Sequence, residues 1–245
     1  MDLQAYLKNY LETWEKFHSF GFSHLVMLGI IVSCSIVIPI YAKKYLNNAQ
    51  QHRLGSFAGW LVFINFLLWF PILIYSETFK IDQHLPLQLC HYGNLLIIPV
   101  MVYKNEKIFR ILYFWVMAAT LQAMITPDIQ ADAPHYWFWR YWGVHAGPVF
   151  CYIYAAVVYG FRPTPKSIWH SWLALNVVVA FTGMVNWLLG SNYAYLCRKP
   201  PVESLFDYIG PWPWYLLVAE GVALVLFGLV YLPFLASNTR KDYAG

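Results

Sequence analysis

Residues 20–46 read FGFSHLVMLGIIVSCSIVIPIYAKKYL: an unbroken apolar run that ends on a pair of lysines. A run of this length covers the ~20 residues that an α-helix needs to cross the hydrocarbon of a bilayer. The basic flank reads as a stop-transfer signal and not as a small-residue cleavage site. Six further runs follow the same pattern, giving expected spans at 20–42, 55–76, 85–103, 108–125, 139–161, 168–190 and 212–236. The composition agrees. Only 11% of the 245 residues are charged and 60% are hydrophobic, whereas a soluble domain carries about a quarter charged residues. The fold class expected is all-α: a polytopic membrane bundle of about seven transmembrane helices in a single integral membrane domain, 1–245.

Ahead of the first span, Leu3, Tyr6, Leu7, Tyr10, Leu11, Trp14 and Phe17 recur at helical spacing. An amphipathic helix in the interface is expected over 1–19, then the bundle over 20–236 and a cytoplasmic tail over 237–245. Lys43, Lys44, Arg53, Lys104, Lys107, Arg110, Arg162, Lys166, Arg240 and Lys241 fall on one side of the expected bundle. Lys8, Lys16, Lys80, Arg140, Arg198 and Lys199 fall on the other. The positive-inside rule makes the ten-residue side cytoplasmic. A multi-pass protein of the cell membrane is expected, N-terminus outside and C-terminus inside. No basic face is clustered for nucleic acid.

The stretch LPLQLCHYGN, 85–94, is too polar for an ordinary lipid-facing helix. Polar groups within a membrane are costly and mark function by default. Cys90 lies ~7 Å into the third span, and His145 ~9 Å into the fifth, at 1.5 Å per residue. The two spans both start on the outer side, so a thiol and an imidazole share a depth near the outer leaflet. An imidazole that takes the proton of a thiol makes a nucleophile. Such a pair can attack a lipid ester, hold the acyl chain as a thioester, and pass it to a hydroxyl. Gln88, Asn94, Asn186 and Tyr193 are candidate supporting or oxyanion donors. His135, Arg198 and Lys199 are candidate headgroup-binding residues.

Each residue has a plainer reading. A cysteine in a membrane helix is often a small apolar filler. His145 can simply bond across helices. His91 points about 100° away from Cys90 on a helix and is the poorer base. Trp137, Trp139 and Trp142 fit an aromatic belt, and Glu220 fits a polar contact within the bundle or a proton path. Asp128, Asp132 and His135 lack the spacing of a metal motif, so no metal and no cofactor is expected. Cys34, Cys90, Cys151 and Cys197 show no disulfide framework or CxxC pair.

Taken together, LPLQLC (85–90), ITPDIQADAPH (125–135), the histidine of YWGVHAGP (145), NWLLGSNYAYLCRKP (186–200) and LFDYIGPWPWYLL (205–217) resemble the YwaF-type integral membrane proteins of bacteria. That family is similar to a human transmembrane acyltransferase that moves acyl chains between phospholipids onto ether lipids. It also resembles, more distantly, the androgen-induced membrane hydrolases, which use a threonine. The resemblance implies Cys90 as the acyl-carrying nucleophile and His145 as its general base. It favours a CoA-independent transacylase with a phospholipid donor and a lysolipid acceptor. Two alternatives stay open: an esterase with water as acceptor, and a seven-helix transporter or receptor.

Overall fold

The computed structural model describes residues 2–200 and 205–242, with side chains over 2–200 and 207–235. Helix α1 is Leu3–Glu12. Two long helices follow, α2 (Phe22–Tyr45) and α3 (Asn48–Tyr75). Helices α4 (Leu89–Leu95) and α5 (Ile97–Met101) are short. The remaining four are α6 (Glu106–Ile125), α7 (Tyr136–Tyr159), α8 (Pro165–Leu189) and α9 (Trp214–Asp242). Among the described residues no strand forms. A single antiparallel bridge joins Lys16 to Ala131.

Among the described residues six helices are long and apolar enough to cross a membrane, one fewer than the seven expected. The shortfall lies at 85–103, where the chain forms α4 and α5 with a break at Leu96. Pro99 explains the break: it has no N–H for the carbonyl one turn earlier, and its ring crowds that turn. The segment still runs antiparallel to α3. Phe66 stacks near His91 at 5.2 Å, and a Cβ on Gly59 would lie 2.7 Å from Met101 Cβ. The chain is a multi-pass membrane protein, and its third passage is a broken helix.

Other boundaries also have local causes. Helix α3 starts at Asn48, earlier than the expected 55, because Asn47 and Gln50 form a capping box. Helix α7 starts at Tyr136, earlier than the expected 139, because His135 caps it. It stops at Gly160, whose φ of 76° closes the helix in the left-handed region. Helix α1 covers ten residues and not the full 1–19. Beyond it the chain extends along the 126–135 loop, with Phe17 N–H donating to Gln130 O and Asp132 N–H to Glu15 O. Helix α9 continues past 236 to Asp242, and the rest of the expected tail, 243–245, lies outside the described residues.

The outer surface is apolar. Phe22, Trp187 and Val177 are 86%, 81% and 71% exposed, as suits side chains solvated by lipid. Between helices in lipid there is little hydrophobic gain, so close packing and hydrogen bonds hold the bundle together. Helix α7 is its central post, with Cys151, Tyr152, Tyr154 and Ala155 fully buried. Close approaches surround it. A Cβ on Gly143 would come within 2.4 Å of Asn65 on α3, and one on Gly147 within 2.6 Å of Val62 on the same helix.

The two ends differ. At one, the basic end, Glu106 accepts from Arg110 Nη2 and from the Arg162 backbone, both at 3.0 Å. At the other, the capped end, α1 and the loops 76–88, 126–135 and 190–200 meet. There Tyr193 OH donates to Ile81 O and accepts from Leu85 N–H, and Tyr195 OH bonds Asp128.

Candidate active site

Cys90 sits in the first turn of α4, at the capped end, half-buried. One turn later Asn94 is fully buried. Its Nδ2 donates twice, to Cys90 O and to Val144 O, each at 2.9 Å. Val144 can accept because of the sequence four residues on: Pro148 has no N–H to close the helical bond. A proline on α7 thus frees a carbonyl, and an asparagine on α4 takes it. The turn that carries Cys90 is thereby laced to the turn that carries His145.

His145 is oriented from within its own helix. Its Nδ1 lies 2.9 Å from Tyr141 O. A carbonyl only accepts, so Nδ1 holds the ring proton and Nε2 is the bare nitrogen. The Tyr141 ring lies 4.2 Å away and fixes the imidazole plane. Cys90 Sγ and the imidazole are not hydrogen-bonded to each other in this structure. His91 turns to α3, buried between Phe66 and Trp69 at 5.2 and 5.6 Å.

The other expected site residues mostly brace the capped end. Asn186 Oδ1 accepts from Tyr193 N–H and Ser191 OH, while its Nδ2 donates to Tyr193 O. Tyr193 OH holds the 81–85 segment, as above. Gln88 Oε1 accepts from Ala194 N–H at 3.0 Å. These groups shape the loops around Cys90, and the Asn186 and Tyr193 side-chain groups are already occupied. His135 has both ring nitrogens engaged, Nδ1 accepting from Trp137 N–H and Nε2 donating to Tyr10 O. Arg198 is exposed and Lys199 half-buried. Glu220 accepts from Trp172 and Asn176, tying α9 to α8. Among the described residues no group of His, Cys, Asp and Glu is arranged to hold a metal ion.

Two features escape a reading by motif. The first is an apolar cavity of about 190 Å³ that meets the Cys90 turn through Leu89 and is lined also by Ala118, Ala119, Leu175, Ala223 and Phe227. A π turn at Val116–Thr120 in α6 places two of these alanines, a device frequent at functional sites. The second is Arg140, within electrostatic reach of Cys90, His91 and His145. Counted among the cations of the outer side, at the start of the span expected from 139, it lies in the second turn of α7. The stretch WFWRYW (137–142) carried the signal, an arginine embedded among rings.

Searches of curated proteins and of solved structures found no match. A search of protein families did. The kinship it supports does not extend to the YwaF-type label or to the threonine hydrolases. Over residues 19–231 the chain matches the TMEM164 family, and it belongs to that family.

Proposed function

We propose that this protein is a cysteine-dependent phospholipid acyltransferase that works without CoA. The observation that carries this reading is the Asn94 bridge, which sets the Cys90 turn against the His145 turn beside an apolar cavity. With the capped end outside, as the lysine and arginine count favours, the site lies at the ester level of the outer leaflet.

The steps balance within the chain's own groups. His145 Nε2 takes the thiol proton as Cys90 Sγ adds to an ester carbonyl of the phospholipid. The C–O bond breaks, the lysolipid leaves with the proton from His145, and the acyl chain remains as a thioester on Cys90. The hydroxyl of a second lysolipid then gives its proton to His145 and attacks the thioester, and the thiol is restored. The acyl chain is held in the cavity that Leu89 lines. An apolar cavity of about 150 Å³ stays dry and takes up hydrocarbon, so this one suits part of an acyl chain and excludes water from the thioester.

Intact-protein mass spectrometry after exposure to phospholipid tests the reading. The wild type should carry an acyl adduct that hydroxylamine removes, and Cys90→Ala should carry none. If the wild type shows no adduct, the covalent mechanism is lost; His145→Ala, without the base that takes the thiol proton, should acquire the adduct more slowly than the wild type.

A further inference from the structure

Arg140 has only part of its bonding capacity met. One face of its guanidinium lies 3.8 Å over the Trp69 ring, and the Trp137 ring is 6.0 Å away. Cation–π contact of this kind accounts for the face. It does not account for the edge. Nε and Nη2 are both shut off from solvent and have no hydrogen-bond partner among the described residues. These two nitrogens share one edge of the guanidinium, and that edge is the fork that binds two oxygens of a carboxylate or phosphate at once.

No carboxylate answers it. The ion pair among the described residues is Arg110–Glu106, at the opposite end. A buried cation without a counter-charge is costly and calls for a partner. The neighbours are of one kind. Trp69 Nε1 and Tyr136 OH are also buried and unpartnered, and Tyr136 is within electrostatic reach of Arg140. The Arg140 edge, Trp69 Nε1 and the Tyr136 hydroxyl, which can donate as well as accept, together offer donors to an acceptor-rich anion. Arg140 lies five residues before His145, about 7.5 Å along α7 at 1.5 Å per residue. An anion held there lies on the capped-end side of the Cys90–His145 pair, and a glycerol backbone is short enough to join the two.

We infer that Arg140 is the phosphate-binding residue of this protein: its Nε–Nη2 edge, with Trp69 Nε1 and Tyr136 OH, receives the phosphodiester of a glycerophospholipid whose ester reaches Cys90. The inference rests on the phospholipid reading above and adds how the substrate is gripped.

The test is binding to the full-length Cys90→Ala protein in neutral detergent, so that no turnover intervenes. Native mass spectrometry titrates dioleoyl phosphatidylcholine against dioleoylglycerol, which has the same esters and no phosphate. Inorganic phosphate is titrated separately. The phospholipid should bind more tightly than the diglyceride by about a hundredfold or more, as fits two hydrogen bonds to a charged group. Arg140→Gln should erase that difference, and Arg140→Lys, which keeps the charge and loses the fork, should recover only part of it. Equal binding of the two lipids by the parent protein overturns the inference without recourse to any Arg140 variant. So does unchanged phosphatidylcholine binding in Arg140→Gln. Arg140-dependent binding of inorganic phosphate with no preference between the lipids also overturns it, and reassigns the site to free phosphate. A missing acyl adduct on Cys90 beside a strong phospholipid preference would leave the grip intact and remove the acyl transfer.

Discussion

The side-chain amide of Asn94 lies 2.9 Å from the carbonyl of Val144, the acceptor that Pro148 strips of its helical donor. The two residues are therefore coupled through a third. Asn94→Ala removes two hydrogen bonds and leaves a buried carbonyl bare, which costs about 1–3 kcal/mol. Adding Pro148→Ala returns an N–H to that carbonyl. The double variant should be more stable than Asn94→Ala alone, a non-additivity that a double-mutant cycle of thermal unfolding in detergent reads directly. Activity should not recover with it, because the Cys90 turn remains untied from α7. Simple additivity of the two stability changes would remove Pro148 from the account.

His84 gives the capped end a pH dependence. It lies in the 76–88 loop, against Trp69 and Phe79 at 5.5 and 5.8 Å, and its Nδ1 accepts from Lys80 N–H. Burial first, and the nearby Arg140 second, hold its pKa below the ordinary 6.5, against the pull of Asp82. The unfolded chain therefore takes up the proton at a higher pH than the folded one. Stability from this group is complete above pH 6.5 and falls as pH drops through the folded value. Unfolding temperatures between about pH 7.5 and about pH 5.5 should decline in the wild type and decline less in His84→Gln. Parallel curves would place the titration elsewhere.

His135 holds α1 to the bundle. Its Nδ1 caps α7, its Nε2 reaches Tyr10 O, and its ring lies 4.5 Å from the Tyr10 ring. His135→Ala loses a cap, at about 1 kcal/mol, together with the Tyr10 contact. Limited proteolysis should then cleave near Lys8 and Lys16 several times faster. His135→Asn, which keeps a capping oxygen, should restore the start of α7 but not the docking of α1. Unaltered cleavage in His135→Ala would mean that the Trp137 Nε1 bond to Leu11 O suffices.

Much of this architecture is written in hydropathy, because lipid leaves a chain few choices: backbone groups must be satisfied within each span. The long helices follow from that. The third passage differed because a single proline, Pro99, outweighs an apolar average that a window of residues reports. That the turns of Cys90 and His145 stand level with each other was legible from spacing. What joins them was not, since Asn94, Pro148 and Val144 lie on two helices whose rotation no single sequence shows. Arg140 was read only for its side of the bundle, as one cation in the orientation count, because a single sequence does not show that Trp69 of α3 stands against its guanidinium. Asn186 and Tyr193 have the right chemistry for oxyanion donors, yet their polar groups are consumed by the backbone of the capped end.

The cavity that Leu89 lines, next to Cys90 in α4, makes chain length the most direct readout of the site. Ala223 of α9 lines it opposite Ala118 and Ala119 of α6. Ala223→Phe fills space that is already empty, so it should avoid the penalty of about 1–3 kcal/mol that overpacking a dense core brings. The unfolding temperature should hold or rise. The acyl adduct on Cys90 should shift from long to short chains, because the ring occupies the volume that the distal methylenes need. Competition between dioctanoyl and dioleoyl phosphatidylcholine, with the adducts weighed by mass spectrometry, should show a change in preference of about tenfold or more. An unchanged preference in a well-folded Ala223→Phe protein would mean that the acyl chain lies along the lipid-facing surface, and that this cavity belongs only to the packing of α4, α6, α8 and α9.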